Sequence, residues 1–102
     1  MPVVPFPVIA HAMTAGMRSR AALTPAVKAR VAYLEARGAR MQMPEADLDT
    51  VIDAGLNGLA LRKMLQVRDD ALILTPDGEE IMQFYAQSIA PLLVDFDGDS
   101  PD

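Results

Sequence analysis

The sequence predicts a compact, mostly α-helical domain that carries one small β-hairpin, and three observations lead there. Apolar residues recur at helical spacing over four stretches. Several of those stretches open on a proline, or close on a glycine, at the places where helices start and stop. Between the third and fourth, "LQV" and "ALIL" flank the polar "RDD", which is the pattern of a short hairpin. A chain of 102 residues suffices for one domain with one core. Residues 1–94 are expected to form that domain, and 95–102, "DFDGDSPD", an acidic, disordered tail.

The elements follow in order. Pro7 suits the first turn of a helix, where its missing N–H costs nothing, and Val8, Ile9, Ala12 and Met13 then share a face up to Gly16. Thr24 followed by Pro25 predicts the start of a second helix, with Val27, Val31 and Leu34 as its stripe and Gly38 as its left-handed stop. The alternation from Ala39 to Met43 fits either a short extended piece or a loop before Pro44. From Pro44, the residues Leu48, Val51, Ile52, Leu56, Leu59, Leu61, Met64 and Leu65 predict one long helix. It passes through Gly55 and Gly58, each costing about 1 kcal/mol against alanine. The two glycines lie about one turn apart and would let a neighbour approach. After the hairpin, Thr75 caps the last helix and Pro76 takes its first position. Asp77, Glu79 and Glu80 complement the positive end of its dipole. Ile81, Tyr85, Ile89 and Leu92 predict its core stripe, with Met82 and Leu93 beside it and Phe84 off it, and Pro91 should fray or kink its end. A helix followed by a hairpin and then "LTPDG" gives the fold a winged-helix-like look.

Composition removes several function classes. With no cysteine there is no disulfide framework and no thiolate metal site. No stretch approaches the roughly 20 apolar residues of a membrane span, and no export signal is visible, so a cytoplasmic setting is expected. Nine Lys and Arg against fourteen Asp and Glu give a net charge of -5, whose field repels phosphate backbones, so no nucleic acid is expected as a partner. Arg18, Arg20, Lys28, Arg30, Arg37 and Arg40 cluster in the first half, and the bland reading makes them a solvated face of mixed charge.

Candidates for chemistry fail one by one. His11 is the single histidine, and a His-x-x-x-x-Asp motif would need an acid where Gly16 stands. Asp95, Asp97 and Asp99 imitate the start of a calcium loop, but the glycine falls at Gly98 and the chain ends before a twelfth-position glutamate. Ser88 lies inside a helix with no flanking glycine, so it is no nucleophile elbow. Met13, Met17, Met41, Met43, Met64 and Met82 fall mostly at stripe or boundary positions, as gap-fillers. No catalytic residue, cofactor or metal ligand is assigned.

The opening "VVPFPVIAHAMTAG", the segment "LTPAVKARVAYLEARGA" and the closing "FYAQSIAPLL" together resemble the region downstream of the catalytic motifs in bacterial glycerol-3-phosphate acyltransferases, within the phospholipid/glycerol acyltransferase family. In that family a Tyr-Tyr-x-Asn-Ser-Ile-type helix with a following leucine pair lies near the C-terminus. Phe84, Tyr85, Ser88, Ile89, Leu92 and Leu93 match it, while Gln87 replaces the asparagine and Pro91 a common histidine. Such enzymes move a fatty acyl group from acyl-CoA or acyl-carrier protein to the first hydroxyl of glycerol 3-phosphate, using a His-x-x-x-x-Asp motif absent here. The resemblance therefore implies a non-catalytic C-terminal domain serving phospholipid biosynthesis, with the catalytic domain of the same protein as its partner. It implies Phe84, Tyr85, Ile89, Leu92 and Leu93 as domain-contact residues, and proximity to the inner face of the membrane through the parent enzyme. The alternative is a stand-alone winged-helix-like protein-interaction module. A DNA-binding regulator comes third, since the helix before the hairpin offers Arg62 and Lys63 beside Asp47, Asp49 and Asp53.

Overall fold

The computed structural model describes residues 2–3, 5–38, 40–41 and 48–96. Four helices and a hairpin build it: α1 (Pro5–Thr14), α2 (Arg20–Ala36), α3 (Leu48–Leu61), a hairpin of two strands, and α4 (Pro76–Ile89). The extended piece after α2 is a two-residue strand, β2 (Arg40–Met41), paired in parallel with β1 (Pro2–Val3). The hairpin strands are β3 (Leu65–Arg68) and β4 (Ala71–Leu74), antiparallel, with Leu65 opposite Leu74 and Arg68 opposite Ala71. The mostly helical fold with a small hairpin is thus the observed one. The predicted start of the third helix at Pro44 lies outside the described residues.

α1 is the central element. Its sequence, PFPVIAHAMT, holds no Asp, Glu, Lys or Arg, and Val8, Ile9, Ala10, Ala12 and Met13 are all buried. A helix apolar on nearly every side has to be surrounded, and α1 packs most extensively on α4 and also on α2 and α3. It ends in a Schellman turn: Gly16, at φ +111°, donates its N–H to the Met13 carbonyl, and the Met17 N–H reaches the Ala12 carbonyl.

α2 starts four residues before Thr24, which corrects the expected boundary. Ser19 is the N-cap and its Oγ accepts from the Ala22 N–H at 3.1 Å. The next orphan donors are met by the hairpin turn: the Arg20 N–H donates to the Asp70 carbonyl and the Ala21 N–H to the Asp70 carboxylate. Pro25 therefore sits inside the helix. The stop is where expected, with Gly38 at φ +91°.

α3 runs unbroken through both glycines. Its end is a second Schellman turn, in which Lys63 instead of glycine takes the left-handed position at φ +61°. Lys63 donates to the Ala60 carbonyl at 3.0 Å and Met64 to the Leu59 carbonyl at 2.9 Å. The hairpin buries Leu65 and Leu72 and leaves Val67 and Ile73 half exposed. An isolated bridge pairs Ser19 with Ala71, so β4 has a partner on both edges.

α4 opens as predicted. The Thr75 hydroxyl accepts from the Gly78 N–H at 3.1 Å and donates to the Met64 carbonyl at 3.3 Å. Gly78 is needed for a reason the sequence does not announce: a Cβ there would overlap the Met64 carbonyl oxygen. The core face of α4 is rotated from the predicted stripe. Met82, Ala86, Ile89 and, in the following 3-10 turn, Leu93 are buried, whereas Ile81 is intermediate and Tyr85 and Leu92 are exposed. The reason is Ala86, a weak apolar signal in sequence but a small side chain buried on the core side. At Ala90 the α-helix passes into the 3-10 turn that contains Pro91, as that proline's missing N–H favours.

The packed structure continues past Val94. Phe96 meets Tyr33 edge-on with ring centroids 5.4 Å apart, and the Arg30 guanidinium lies 4.8 Å from its ring centre. Residues 97–102 lie outside the described residues.

Candidate functional site

The five candidate contact residues separate into two groups. Ile89 and Leu93 are 3% and 4% exposed and belong to the domain's own core. Phe84, Tyr85 and Leu92 are exposed, Phe84 most of all at 61%. Tyr85 does not fill the interior, contrary to the stripe reading. It is a bridge: its ring meets Phe6 of α1 edge-on at 5.0 Å and Phe84 edge-on at 5.5 Å.

Beside this aromatic row lies a cleft of about 380 Å³ where α1, α3 and α4 meet. Phe6, Gly55, Gly58, Arg62, Ile81 and Tyr85 contribute to its lining. The two glycines differ in what they do. A Cβ on Gly55 would sit 3.3 Å from Ile9 Cδ1 and 3.6 Å from Phe6 Cδ1, so this glycine lets α3 close on α1. A Cβ on Gly58 would meet nothing within 4 Å. Both glycines were expected to face the same neighbour; Gly58 instead faces open space at the cleft, and its helix penalty of about 1 kcal/mol is offset by no contact. Arg62 is exposed and forms no ion pair among the described residues. Phe84 stands on a neighbouring shallow depression with Asp77 and Glu80.

Most of the early cations have structural work. Arg18 forks onto Glu79, its Nη1 2.5 Å from Oε1 and Nη2 3.3 Å from Oε2. Arg20 pairs with Asp53, and Lys28 with Asp49 at 3.5 Å. The expected solvated face is thus a set of half-exposed clasps from α2 and the segment before it to α3 and α4. The hydrogen bond from Arg18, helped by its charge and opposed by desolvation, lowers the Glu79 carboxyl below its usual 4.5. Arg30 departs furthest from a solvated cation, being 0% exposed. Its Nε donates to His11 Nδ1 at 2.9 Å and its Nη1 to the Ala26 carbonyl at 3.1 Å. Arg30 therefore touches neither water nor a lipid surface.

Among the described residues no catalytic constellation emerges. Among the described residues, no three His, Cys, Asp or Glu side chains are grouped to hold a metal. Ser88 donates its hydroxyl to the Tyr85 carbonyl within its own helix. Among the described residues no helix is long and apolar enough to cross a membrane. What the geometry defines is a small helical domain with an exposed aromatic row and an adjoining cleft. No family model, no curated protein and no solved structure matches the chain.

Proposed function

We propose that the chain is a non-catalytic C-terminal domain of a glycerol-3-phosphate acyltransferase, docking on the catalytic domain through Phe84, Tyr85 and Leu92. The carrying observation is how the closing helix divides the residues that resemble that family: Ile89 and Leu93 hold the helix to its own core, while the aromatic pair faces outward. Phe84 at 61% exposure is the kind of large anchor that protein contacts bury. In this role the domain contributes to phospholipid biosynthesis without a cofactor, and nears the inner face of the membrane only through its parent. The test is the reading frame upstream of Met1 at the source locus, which is expected to run through a His-x-x-x-x-Asp motif. A stop codon there sinks the proposal. In the joined protein, Phe84→Ser is expected to loosen domain packing, read as faster protease cleavage between the halves.

A stand-alone winged-helix-like interaction module is the second reading. The bridge between Ser19 and Ala71 favours it, because it adds a third short edge to the hairpin and gives the order helix, edge, helix, helix, hairpin, helix. A DNA reader has less support: Arg62 and Lys63 follow the end of α3, but Asp49 and Asp53 lie along that helix, clasped to Lys28 and Arg20. A mobility shift of duplex DNA that weakens with salt would reverse that order.

A further inference from the structure

We infer that the cleft between α1, α3 and α4 is a binding site for a single-chain amphiphile with an anionic head, its chain against Phe6 and Ile81 and its head on Arg62. Three observations carry this independently of the acyltransferase reading. A volume of about 380 Å³ falls within the range of small-ligand sites. An engineered cavity of roughly 150 Å³ holds one benzene, so by proportion this half-open cleft takes an apolar body of roughly ten to fifteen carbons. Second, Gly58 is the residue that keeps the cleft open. It weakens its helix, it makes no close approach to any neighbour, and any larger side chain would project into the empty volume. Gly55, on the same lining, is explained by its contact with α1; Gly58 has no such explanation inside the molecule.

The third observation selects the head group. The described lining contains no carboxylate, and Arg62 is its one charged side chain, with no ion pair among the described residues. Tyr85 adds a phenolic group to the same lining. A guanidinium and a phenol on one otherwise apolar lining suit a carboxylate on an aliphatic chain and disfavour a cationic head. Asp77 and Glu80, which stand with Phe84 around the neighbouring depression, further repel an anion that strays from Arg62 and so fix its position.

The experiment is a calorimetric titration of the chain with decanoate below its micelle concentration, beside decyltrimethylammonium as the cationic counterpart. The expected result is saturable one-to-one binding of decanoate, at least tenfold tighter than the cation. Arg62→Gln should weaken decanoate binding at least tenfold and erase the preference over the cation. Gly58→Leu should abolish binding with an unchanged circular dichroism spectrum. Gly58→Ala, which removes the helix penalty, should melt at a higher temperature than the parent while binding more weakly. Absence of saturable binding, equal binding of both head groups, or binding indifferent to Arg62→Gln and Gly58→Ala would each overturn the inference.

Discussion

At the residue scale, one backbone carbonyl, one side chain and one missing side chain fix the junction between the hairpin and α4. The Met64 carbonyl accepts from both the Thr75 N–H, at 3.0 Å, and the Thr75 hydroxyl, and Gly78 lies directly against it. Because the clash for a Cβ is with backbone, no rotamer change relieves it. Gly78→Ala is therefore expected to cost about 1–3 kcal/mol, the range for overpacking, although alanine is the better helix former. Chemical denaturation against the parent measures it, and an alanine variant as stable as the parent would show that the two backbones separate freely. The neighbouring Glu79 gives the pH dependence. Its carboxyl titrates lower when folded than the usual 4.5, so its contribution is fully present above that value and is lost as pH falls through the folded value. Both partners are more than a third exposed, so the contribution is below about 1 kcal/mol. Glu79→Gln should flatten the acid side of a stability-versus-pH profile by that amount and leave the neutral side parallel to the parent.

At the element scale, local signals were legible and distant ones were not. Thr75, Pro76 and Gly38 announce themselves because a cap or a stop is made within four residues of itself. The start of α2 is hidden for the opposite reason: the donors at Arg20 and Ala21 are satisfied by Asp70, from the hairpin turn, so Ser19 outcompetes the more obvious Thr24-Pro25. The rotated face of α4 is hidden in the same way. The predicted stripe chose the largest apolar residues, but the core takes small Ala86 and leaves Tyr85 to span from α4 to Phe6. Of the candidate contact set, Phe84 lies on the exposed side of α4, whereas Ile89 and, in the following 3-10 turn, Leu93 turn into the core, a division that apolar character alone does not reveal. The cleft was invisible, because nothing in the sequence distinguishes Gly55, which α1 fills, from Gly58, which nothing fills. Two predictions belong here. Ser19→Ala removes the cap to Ala22 and is expected to cost about 1 kcal/mol, while Thr24→Ala costs less. Lys63→Gly relieves a left-handed lysine at the end of α3 and should stabilise by about 1 kcal/mol, read as an increase in melting temperature.

At the scale of the whole molecule, charge and aromatic contacts join parts that the hydrophobic core alone would leave loosely ordered. On the surface, the clasps Arg20–Asp53 and Lys28–Asp49 tie α2 to α3, and Arg18–Glu79 ties the segment before α2 to α4. Beneath them, Arg30 of α2 reaches His11 of α1 and covers Phe96, which lies beyond the last turn. A sequence reading that ends the domain at Val94 misses this, since an acidic segment looks solvated and its one phenylalanine carries no periodic signal. The structure makes Phe96 a lid on a buried cation: it packs on Tyr33, and Tyr33 in turn lies under the Arg37 guanidinium at 4.7 Å. A chain ended after Val94 should thus be less stable than one ended after Phe96 by about 1–2 kcal/mol, somewhat less than full burial of a phenylalanine. Phe96→Leu in the full chain should recover most of the apolar contact but not the attraction between the ring and Arg30, and fall between the two. If thermal melts place all three together, Phe96 is a passive neighbour and the domain ends where the sequence pattern ends; if they separate in that order, the fold closes on Phe96.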